Sequence, residues 1–363
     1  MARPKLAASG PVPSERDEAF LSAQRKTVQK VFAQIDGSNL PSSYPPSSAE
    51  MAEYERAVDR AIDSVASDGS LDNVDRARLM SVVTFELVGL GPVELYIDDP
   101  TVDRIYVNSH DRIFIRRAGQ TVPASFAFSS AEMLELAARR IEKAGQQHDD
   151  VASAVRLSDG THIDVVFPPV AVDGPSIVIR KPSAETRDLE GLVDAGVLSK
   201  EMATFVHQAV QAKRNILVTG PAGAGKAEFL SAIANTIPDG TRILCVEENS
   251  PLNLGQSSVL HLESAGAGAL DHANRLSPDR LVVCDLTPDT ALQWVLCSAY
   301  TALGSMASIT GFGDRDALSR LESMTAAHAS MHSIRGIRQQ VSRAVQVVVV
   351  LSAWPGQSPR VTQ

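Results

Sequence analysis

This chain of 363 residues lacks long apolar runs, a surplus of positive charge and paired cysteines. Its longest strongly apolar run, 345–354, is far shorter than the roughly 20 residues that span a bilayer, so it predicts a buried strand. The net charge of −9 provides no basic field to attract nucleic acid, which we exclude as a partner. Cys245, Cys284 and Cys297 have neither disulfide-like nor metal-like spacing and predict core packing in a reducing compartment.

The short motifs of several enzyme classes are missing as well. The eight histidines include no HExxH and no Cys/His cluster, and no GxSxG sequence is present. His328 and His332, four residues apart, predict a surface pair rather than a metal site. The N-terminal residues MARPKLAASGPVPSERD lack the apolar segment of a secretory signal, so we expect a cytoplasmic protein.

Composition divides the chain into four parts. These are a disordered or low-complexity tail at 1–50, a helical segment at 51–88, a small α+β domain at 89–182 and an α/β domain at 183–363. A helix within 14–35 is open, but it would have little to pack on. Ser47 and Glu50 form the pattern of a capping box, which predicts a helix start there.

The last part alternates helices with nearly continuous apolar strands. Strands are predicted at 215–220, 242–247, 280–285, 305–309 and 345–351. Runs that are apolar on both faces are typical of a mostly parallel sheet covered by helices. A helix at 199–212 is expected to bury Met202, Phe205, Val206, Ala209 and Val210.

A glycine-rich loop joins the first of these strands to a helix. Gly220 to Ala227 reads GPAGAGKA, which fits GxxxxGK[ST] in every position except the last. In such loops backbone N–H groups and the lysine hold phosphates, and the final hydroxyl ligates Mg²⁺. Ala227 has no hydroxyl, although the backbone amides that bind anions do not depend on it. The predicted nucleotide contacts are Gly220, Pro221, Ala222, Gly223, Ala224, Gly225, Lys226, Ala227 and Glu228.

Carboxylates end two other core strands. Asp285 ends RLVVCD and is interpreted either as a magnesium or water-positioning carboxylate or as the N-cap of the helix that starts near Thr287. Glu247 and Glu248 end another strand, where a carboxylate could polarise an attacking water. Solvated acids at a strand end are the alternative interpretation of this pair.

Several blocks occur in an order that resembles a known family. They are GLGPVELYIDDPTVDRIYVN (89–108), VRLSDGTHIDVVFPPVAVDGPSIVIRKP (155–182), NILVTGPAGAGK (215–226), SPDRLVVCD (277–285) and DALSRLE (316–322). Together they resemble the secretion and pilus traffic ATPases over about 87–351, and among these the CpaF-type ATPase of Tad (Flp) pilus assembly.

This resemblance implies a RecA-like P-loop ATPase domain preceded by a PAS-like N-terminal domain. It also implies a hexamer that binds ATP and Mg²⁺ between the two domains, together with inner-membrane pilus or secretion platform proteins as partners. Arg156 and Arg180 fall among the N-domain arginines that approach nucleotide or a neighbouring subunit. Glu247 corresponds to the Asp-box glutamate, and Asp285 to the Walker B acid and thus to a magnesium site.

The chain departs from the family pattern at its catalytic positions. Ala227 replaces a hydroxyl, Asp285 is one methylene shorter than glutamate, and histidines or arginines are replaced at Thr310, Ala302, Ser277 and Ala265. We therefore expect a degraded catalytic site in a structural or regulatory subunit, which joins a homo-oligomer or a mixed ring with an active paralogue. An active ATP-hydrolysing motor and a nucleotide-gated binding module, whose tail recruits partners, are the alternatives.

Overall fold

The structure, a computed structural model, divides into two compact units, Met1–Lys181 and Pro182–Gln363. The strands of the described residues form two sheets with seven strands each. No helix among the described residues is both long and apolar enough to cross a membrane. The residues that the structure describes are 18–34, 40–41, 44–67, 74–117, 119–145, 147–148, 151–182, 188–247, 252–263, 270, 273–301, 303–328, 333–353 and 359–363.

Helices precede the sheet of the first unit. They are α1 (Glu18–Gln34), α2 (Ser48–Ser67), α3 (Arg76–Val88) and α4 (Val93–Asp98), and α5 (Ala131–Ala144) follows later. The predicted capping box is confirmed at the start of α2, where Ser47 N donates to Glu50 Oε2 at 2.7 Å and Glu50 N donates to Ser47 Oγ at 3.2 Å. Both bonds satisfy backbone amides at a helix start.

The sheet of the first unit is antiparallel, in the order β3-β2-β1-β7-β6-β5-β4. Its apolar face carries Ile105, Ile179 and Ile163 as direct register partners, all 0% exposed. These isoleucines share one core with the buried face of α5. The strands are β1 (Val102–Val107), β2 (Ile113–Arg117), β3 (Gln120–Pro123), β4 (Gln147–His148), β5 (Ala152–Arg156), β6 (His162–Val166) and β7 (Ser176–Arg180).

The predicted disordered tail at 1–50 is wrong over α1, which packs on α2 and α3. Gln24 Nε2 donates to Glu86 Oε2 at 2.8 Å and to Ala127 O at 3.0 Å. These buried hydrogen bonds add to the apolar packing of α1. Proline and serine flank this helix in the sequence, and that composition concealed its periodicity. The buried apolar side chains of α1 are Phe20, Leu21, Ala23, Val28 and Val31.

The second unit has a sheet in the order β10-β9-β11-β12-β8-β13-β14. The predicted parallel pairing is confirmed for β8 to β13, and β14 pairs antiparallel with β13. The strands are β8 (Ile216–Gly220), β9 (Ile243–Glu247), β10 (Val259–Glu263), β11 (Arg280–Cys284), β12 (Met306–Thr310), β13 (Val347–Ser352) and β14 (Arg360–Val361). The helices are α6 (Leu189–Asp194), α7 (Lys200–Gln211), α8 (Lys226–Ala234), α9 (Pro288–Tyr300), α10 (Asp314–His328) and α11 (Ile334–Ala344).

The inner strands β8, β9 and β11 are buried on both faces of this sheet. Along β9, Leu244 joins one apolar core and Cys245 joins the other, as the alternation of side chains along a strand requires. The three cysteines are free and buried, which confirms the prediction of core packing for their side chains. The mixed α/β architecture expected from the alternating pattern is therefore present.

Two details of the second unit differ from expectation. Strand β10 was not predicted, because it alternates apolar residues with His261 and its described side chains are only partly buried or exposed. On α7, Met202 and Phe205 are 38% and 58% exposed, whereas Val206 and Val210 are buried. The apolar stripe of α7 is thus wider than the face that the fold covers.

Candidate functional site: the strand ends around the glycine loop

The glycine loop has the backbone of a strand-to-helix turn. Strand β8 ends at Gly220 and α8 starts at Lys226, with Gly223 at φ 81° and Gly225, the N-cap, at φ 74°. Side chains other than glycine rarely adopt such positive φ values, so the spacing of the glycines matches a structural need. Ala222 and Gly223 are exposed and Ala224 is buried.

Gly220 is required for a different reason, which is its close approach to a neighbouring strand. A Cβ atom at this position would lie 2.6 Å from Leu351 O on β13. No other side chain fits without moving that strand. The loop therefore begins at a fixed point of the sheet.

Lys226 is 7% exposed, and its ammonium group folds back over the loop. Nζ lies 3.3 Å from the carbonyl oxygens of Gly220 and Pro221 and 3.2 Å from Thr310 Oγ1. Asp285 Oδ1 is 3.8 Å from the same nitrogen. An ammonium group has three N–H donors, so this environment satisfies it in the absence of phosphate.

Ala227, the residue after Lys226, brings no hydroxyl to the loop as a magnesium ligand. Ala227 is half-buried and packs against the apolar core on this face of the sheet. The N-terminus of α8 favours negative charge through its helix dipole. Glu228 already places one negative charge in the first turn of this helix, and that charge repels a second anion. A phosphate at this helix start would meet one lysine and one carboxylate.

Asp285 follows β11 and is one of three non-glycine residues with positive φ in the described parts of the chain, at 58°. Its N–H donates to Ser308 Oγ at 2.8 Å, and Ser308 Oγ lies 3.3 Å from Asp285 Oδ1. The N-cap interpretation is wrong, because Thr287 caps α9 through its bonds with Thr290. Backbone held in this region by surrounding contacts is common at functional sites.

Glu247 is 0% exposed at the end of β9, so its interpretation as a solvated acid is wrong. Its Oε1 accepts from Leu252 N at 2.7 Å and lies 3.4 Å from Cys245 Sγ and 3.1 Å from His261 Nδ1. Glu248 lies outside the described residues. On β11, which lies next to β9, burial raises the pKa of the Cys284 thiol well above its usual value. The Cys284 thiol is therefore a weak nucleophile.

Sequence reasoning missed the part that β12 plays. Thr310 was noted only as a departure from a family pattern, and Ser308 was not considered, yet they contact Lys226 and Asp285 respectively. The available signal was the parallel sheet, since β12 is the neighbour of both β8 and β11. The ends of parallel neighbours bring their side chains together.

The two arginines that are expected to approach nucleotide or a neighbouring subunit lie in the sheet of the first unit. Arg156 on β5 and Arg180 on β7 are the register partners of His162, which lies on β6 between them. Arg104 on β1 is the next partner of Arg180, and Arg116 on β2 is the partner of Arg104, so five basic residues form one cross-strand row. Arg180 also forms an ion pair with Asp164, which compensates part of that charge.

The remaining predicted departures are only partly visible. Ser277 is exposed and has φ 49°. Ala265, Ala302 and His332 lie outside the described residues. His328 lies 3.3 Å from Asp289 and is 38% exposed, as expected for a surface side chain.

Comparison with known proteins gives a family for this fold and site. The family model for type II/IV secretion system proteins matches residues 86–351. VirB11 of Agrobacterium fabrum is 24% identical over 73% of this chain and 88% of its own length. The conjugal transfer protein TrbB of Rhizobium radiobacter is 26% identical over 70% of this chain and 80% of its own length.

Solved structures of similar proteins have low identity and low structural scores. The VirB11 ATPase from the Brucella suis type IV secretion system, solved in complex with sulphate, is 23% identical and covers 75% of this chain and 94% of its own, with a TM-score of 0.43. The Legionella pneumophila ATPase DotB is 14% identical and covers 74% of this chain and 77% of its own, with a TM-score of 0.49.

The extent of the family-model match shows to which family the chain belongs. It runs from α3 to β13 and includes the glycine loop and the strand ends that carry Asp285 and Glu247. It spans well over half of the 363 residues. The chain therefore belongs to the type II/IV secretion system protein family.

Proposed function

We propose that this chain is a CpaF-like traffic ATPase that binds ATP through residues 220–228 and hydrolyses it weakly or not at all. In this proposal the second unit is the RecA-like P-loop domain and the first unit is its PAS-like partner. The protein serves as a structural or regulatory subunit at the cytoplasmic base of a Tad pilus or a type II/IV secretion machine.

The proposal is supported above all by the loop, which has the glycine backbone and lysine expected of a phosphate loop but has Ala227 where such a loop carries its magnesium ligand. Gly223 and Gly225 have the positive φ angles that such a loop needs. Lys226 donates its hydrogen bonds to neutral oxygens, with the Asp285 carboxylate 3.8 Å away, and a charged phosphate oxygen is a stronger acceptor than those neutral oxygens. Binding and hydrolysis therefore place different demands on this loop, and only the second demand requires the hydroxyl.

Loss of these catalytic groups should lower the rate of ATP hydrolysis strongly. Mg²⁺ and cationic side chains neutralise charge on the transferred phosphoryl group, and loss of one such arginine lowers the rate by about 10³ to 10⁵. Thr310 stands where the resemblance expects a histidine, and it supports Lys226 instead. One loss of this size already leaves slow turnover.

The assembly we expect is a ring of six copies, or a mixed ring in which an active paralogue supplies the missing arginines. Arg156 and Arg180 would then approach nucleotide or a neighbouring subunit. Membrane platform proteins of the pilus or secretion machine would hold the ring at the inner membrane, and no nucleic acid is involved.

The test combines a titration with a fluorescent ATP analogue, with and without Mg²⁺, and a steady-state turnover assay on the same full-length protein. We expect saturable binding that Mg²⁺ changes little, with turnover at the level of Lys226→Ala. Lys226→Ala should abolish the binding, because it removes the main cation of the loop. Turnover at the rate of an ordinary traffic ATPase, lost in Lys226→Ala, would overturn the proposal.

An active motor is the second candidate, and the position of Asp285 favours it. Its carboxylate is 33% exposed and 3.8 Å from Lys226 Nζ, where it can hold Mg²⁺ through water. Glu247 would then act on the attacking water. For this candidate, Ala227→Thr should change an already substantial rate only modestly, and Asp285→Asn should abolish it.

A further inference from the structure

We infer that Cys245, Glu247 and His261 form a binding site for a divalent transition-metal ion, with Zn²⁺ as the first candidate. The three residues share one face of the sheet. Cys245 and Glu247 are two positions apart on β9, and His261 on β10 is the direct register partner of Cys245. Two strands of a parallel sheet thus bring together three ligand types that the sequence separates by up to 16 positions (245 to 261).

The distances are close to those of a metal site. Glu247 Oε1 lies 3.4 Å from Cys245 Sγ and 3.1 Å from His261 Nδ1, and the ligand atoms all lie within 4.8 Å of one another. Bonds of about 2.0 to 2.3 Å in a tetrahedral zinc site place ligand atoms roughly 3.3 to 3.7 Å apart. Small side-chain adjustments would therefore suffice to admit an ion.

The donor set selects the class of ion. A thiolate, an imidazole and a carboxylate suit Zn²⁺ and related transition metals, whereas Mg²⁺ prefers oxygen ligands alone. On binding, the Cys245 thiol would release its proton to solvent and His261 would bind through a neutral Nδ1. The thiolate and the carboxylate together would then balance the two positive charges of the ion.

The carboxylate is already oriented for this role. The backbone N–H of Leu252 donates to Glu247 Oε1 at 2.7 Å, and a bond of this kind from outside the ligand set holds a metal ligand in place. Glu247 and Cys245 are 0% exposed, whereas the side chain of His261 is 36% exposed. The ion would enter on the side of the histidine, and water would complete the coordination there.

The site goes beyond the proposed function, since none of its ligands belongs to residues 220–228. A bound ion would occupy the carboxylate that the active-motor alternative assigns to the attacking water. It would also fasten β10, the edge strand of the sheet, to β9. The inference is therefore independent of whether ATP is bound.

Cobalt provides the most direct test, because Co²⁺ occupies zinc sites and is visible by absorption. Full-length protein without an affinity tag is freed of metal with a chelator and titrated with Co²⁺. We expect one equivalent to bind, with the visible bands of tetrahedral Co²⁺ and a near-ultraviolet thiolate-to-cobalt band. Addition of Zn²⁺ should remove both features.

Two variants locate the ion and one variant is the matched control. Cys245→Ser should abolish the near-ultraviolet band, and His261→Asn should weaken Co²⁺ binding about 100-fold or more. Cys297→Ser makes the same change at another buried cysteine, on α9, and should leave stoichiometry and spectrum unchanged. Circular dichroism checks the fold of each variant. If Cys245→Ser unfolds, His261→Asn still tests the site, because it replaces a partly exposed side chain.

Two results would overturn the inference. One is the absence of Co²⁺ and Zn²⁺ uptake by the folded wild-type protein. The other is uptake that keeps its affinity in His261→Asn, since the ion would then lie elsewhere.

Discussion

Glu86 in the first unit and Glu247 in the second are both 0% exposed, yet their partners differ in kind. Glu86 accepts from Gln24 Nε2 at 2.8 Å and from Ser129 N at 2.5 Å, groups that can only form hydrogen bonds. Glu247 lies against a thiol and an imidazole, which can also bind metal. Burial alone therefore does not distinguish these two carboxylates, whereas the chemistry of their partners does.

Burial acts on the first of these carboxylates in a defined direction. It raises the pKa of Glu86 to about 7, and it lowers the pKa of Arg140 to about 10. The guanidinium group of Arg140 donates hydrogen bonds to backbone carbonyl oxygens, including Pro41 O at 2.9 Å and Gly89 O at 2.7 Å. This network joins α1, α3 and α5, and we interpret it as structural.

The largest expected effect comes from Arg140→Leu. It would leave buried carbonyl groups of the first unit unsatisfied and should lower the free energy of unfolding by about 3 kcal/mol or more. Arg139→Leu is the matched control, since the Arg139 side chain is 51% exposed and its ion pairs are worth about 0 to 1 kcal/mol. Denaturant unfolding measures both, and equal losses would contradict the structural role of Arg140.

The next effect is a pH dependence due to Glu86. Its pKa of about 7 in the folded state exceeds the ordinary value of 4.5, so its stabilising contribution is complete below pH 4.5 and is lost as pH rises through 7. The full difference is about 3 kcal/mol. Glu86→Gln should flatten this part of the pH dependence of unfolding, and a wild-type curve identical to that of the variant would show that Glu86 titrates normally.

Metal affinity should distinguish the two glutamates directly. Glu247→Gln removes the charged oxygen ligand and should weaken Co²⁺ binding about 10 to 100-fold or more. Glu86→Gln makes the same substitution at the other buried glutamate and should leave Co²⁺ binding unchanged. Equal effects of the two substitutions in the cobalt titration would remove the proposed difference between the sites.

The smallest effect concerns an exposed carboxylate, Glu50, whose pKa is lowered by its side-chain bond with Ser47 and then by the backbone bond. Ser47→Ala should cost about 1 kcal/mol, because it removes a helix cap. The same change should raise the pKa of Glu50 toward its ordinary value. Nuclear magnetic resonance titration of the carboxyl carbon measures this, and an unchanged pKa would assign the shift to other groups.

Contiguous patterns were the predictable part of this molecule. The glycine loop and the capping box each occupy a few consecutive residues, and the structure places both where the spacing predicts them. The parallel sheet followed from strands that are apolar on both faces. The contacts of the loop and the capping box lie close together in the sequence, whereas the sheet was predicted from the apolar pattern of each strand by itself.

Contacts that depend on register were not predictable in this way. His261 meets Cys245 only because β10 pairs with β9 in one register, and β10 itself was missed. Likewise, Thr310 reaches Lys226 because β12 lies beside β8. The packing of α1 also includes a hydrogen bond from Gln24 to Glu86, a partner 62 positions away.

We propose that the glycine loop binds nucleotide while the chemical step is impaired. Single-turnover hydrolysis of ATP with protein in excess tests it most directly, because neither product release nor weak binding then limits the signal. We expect wild-type protein to hydrolyse bound ATP no faster than the background of Lys226→Ala prepared in the same way. A wild-type rate about 100-fold or more above that background would contradict it.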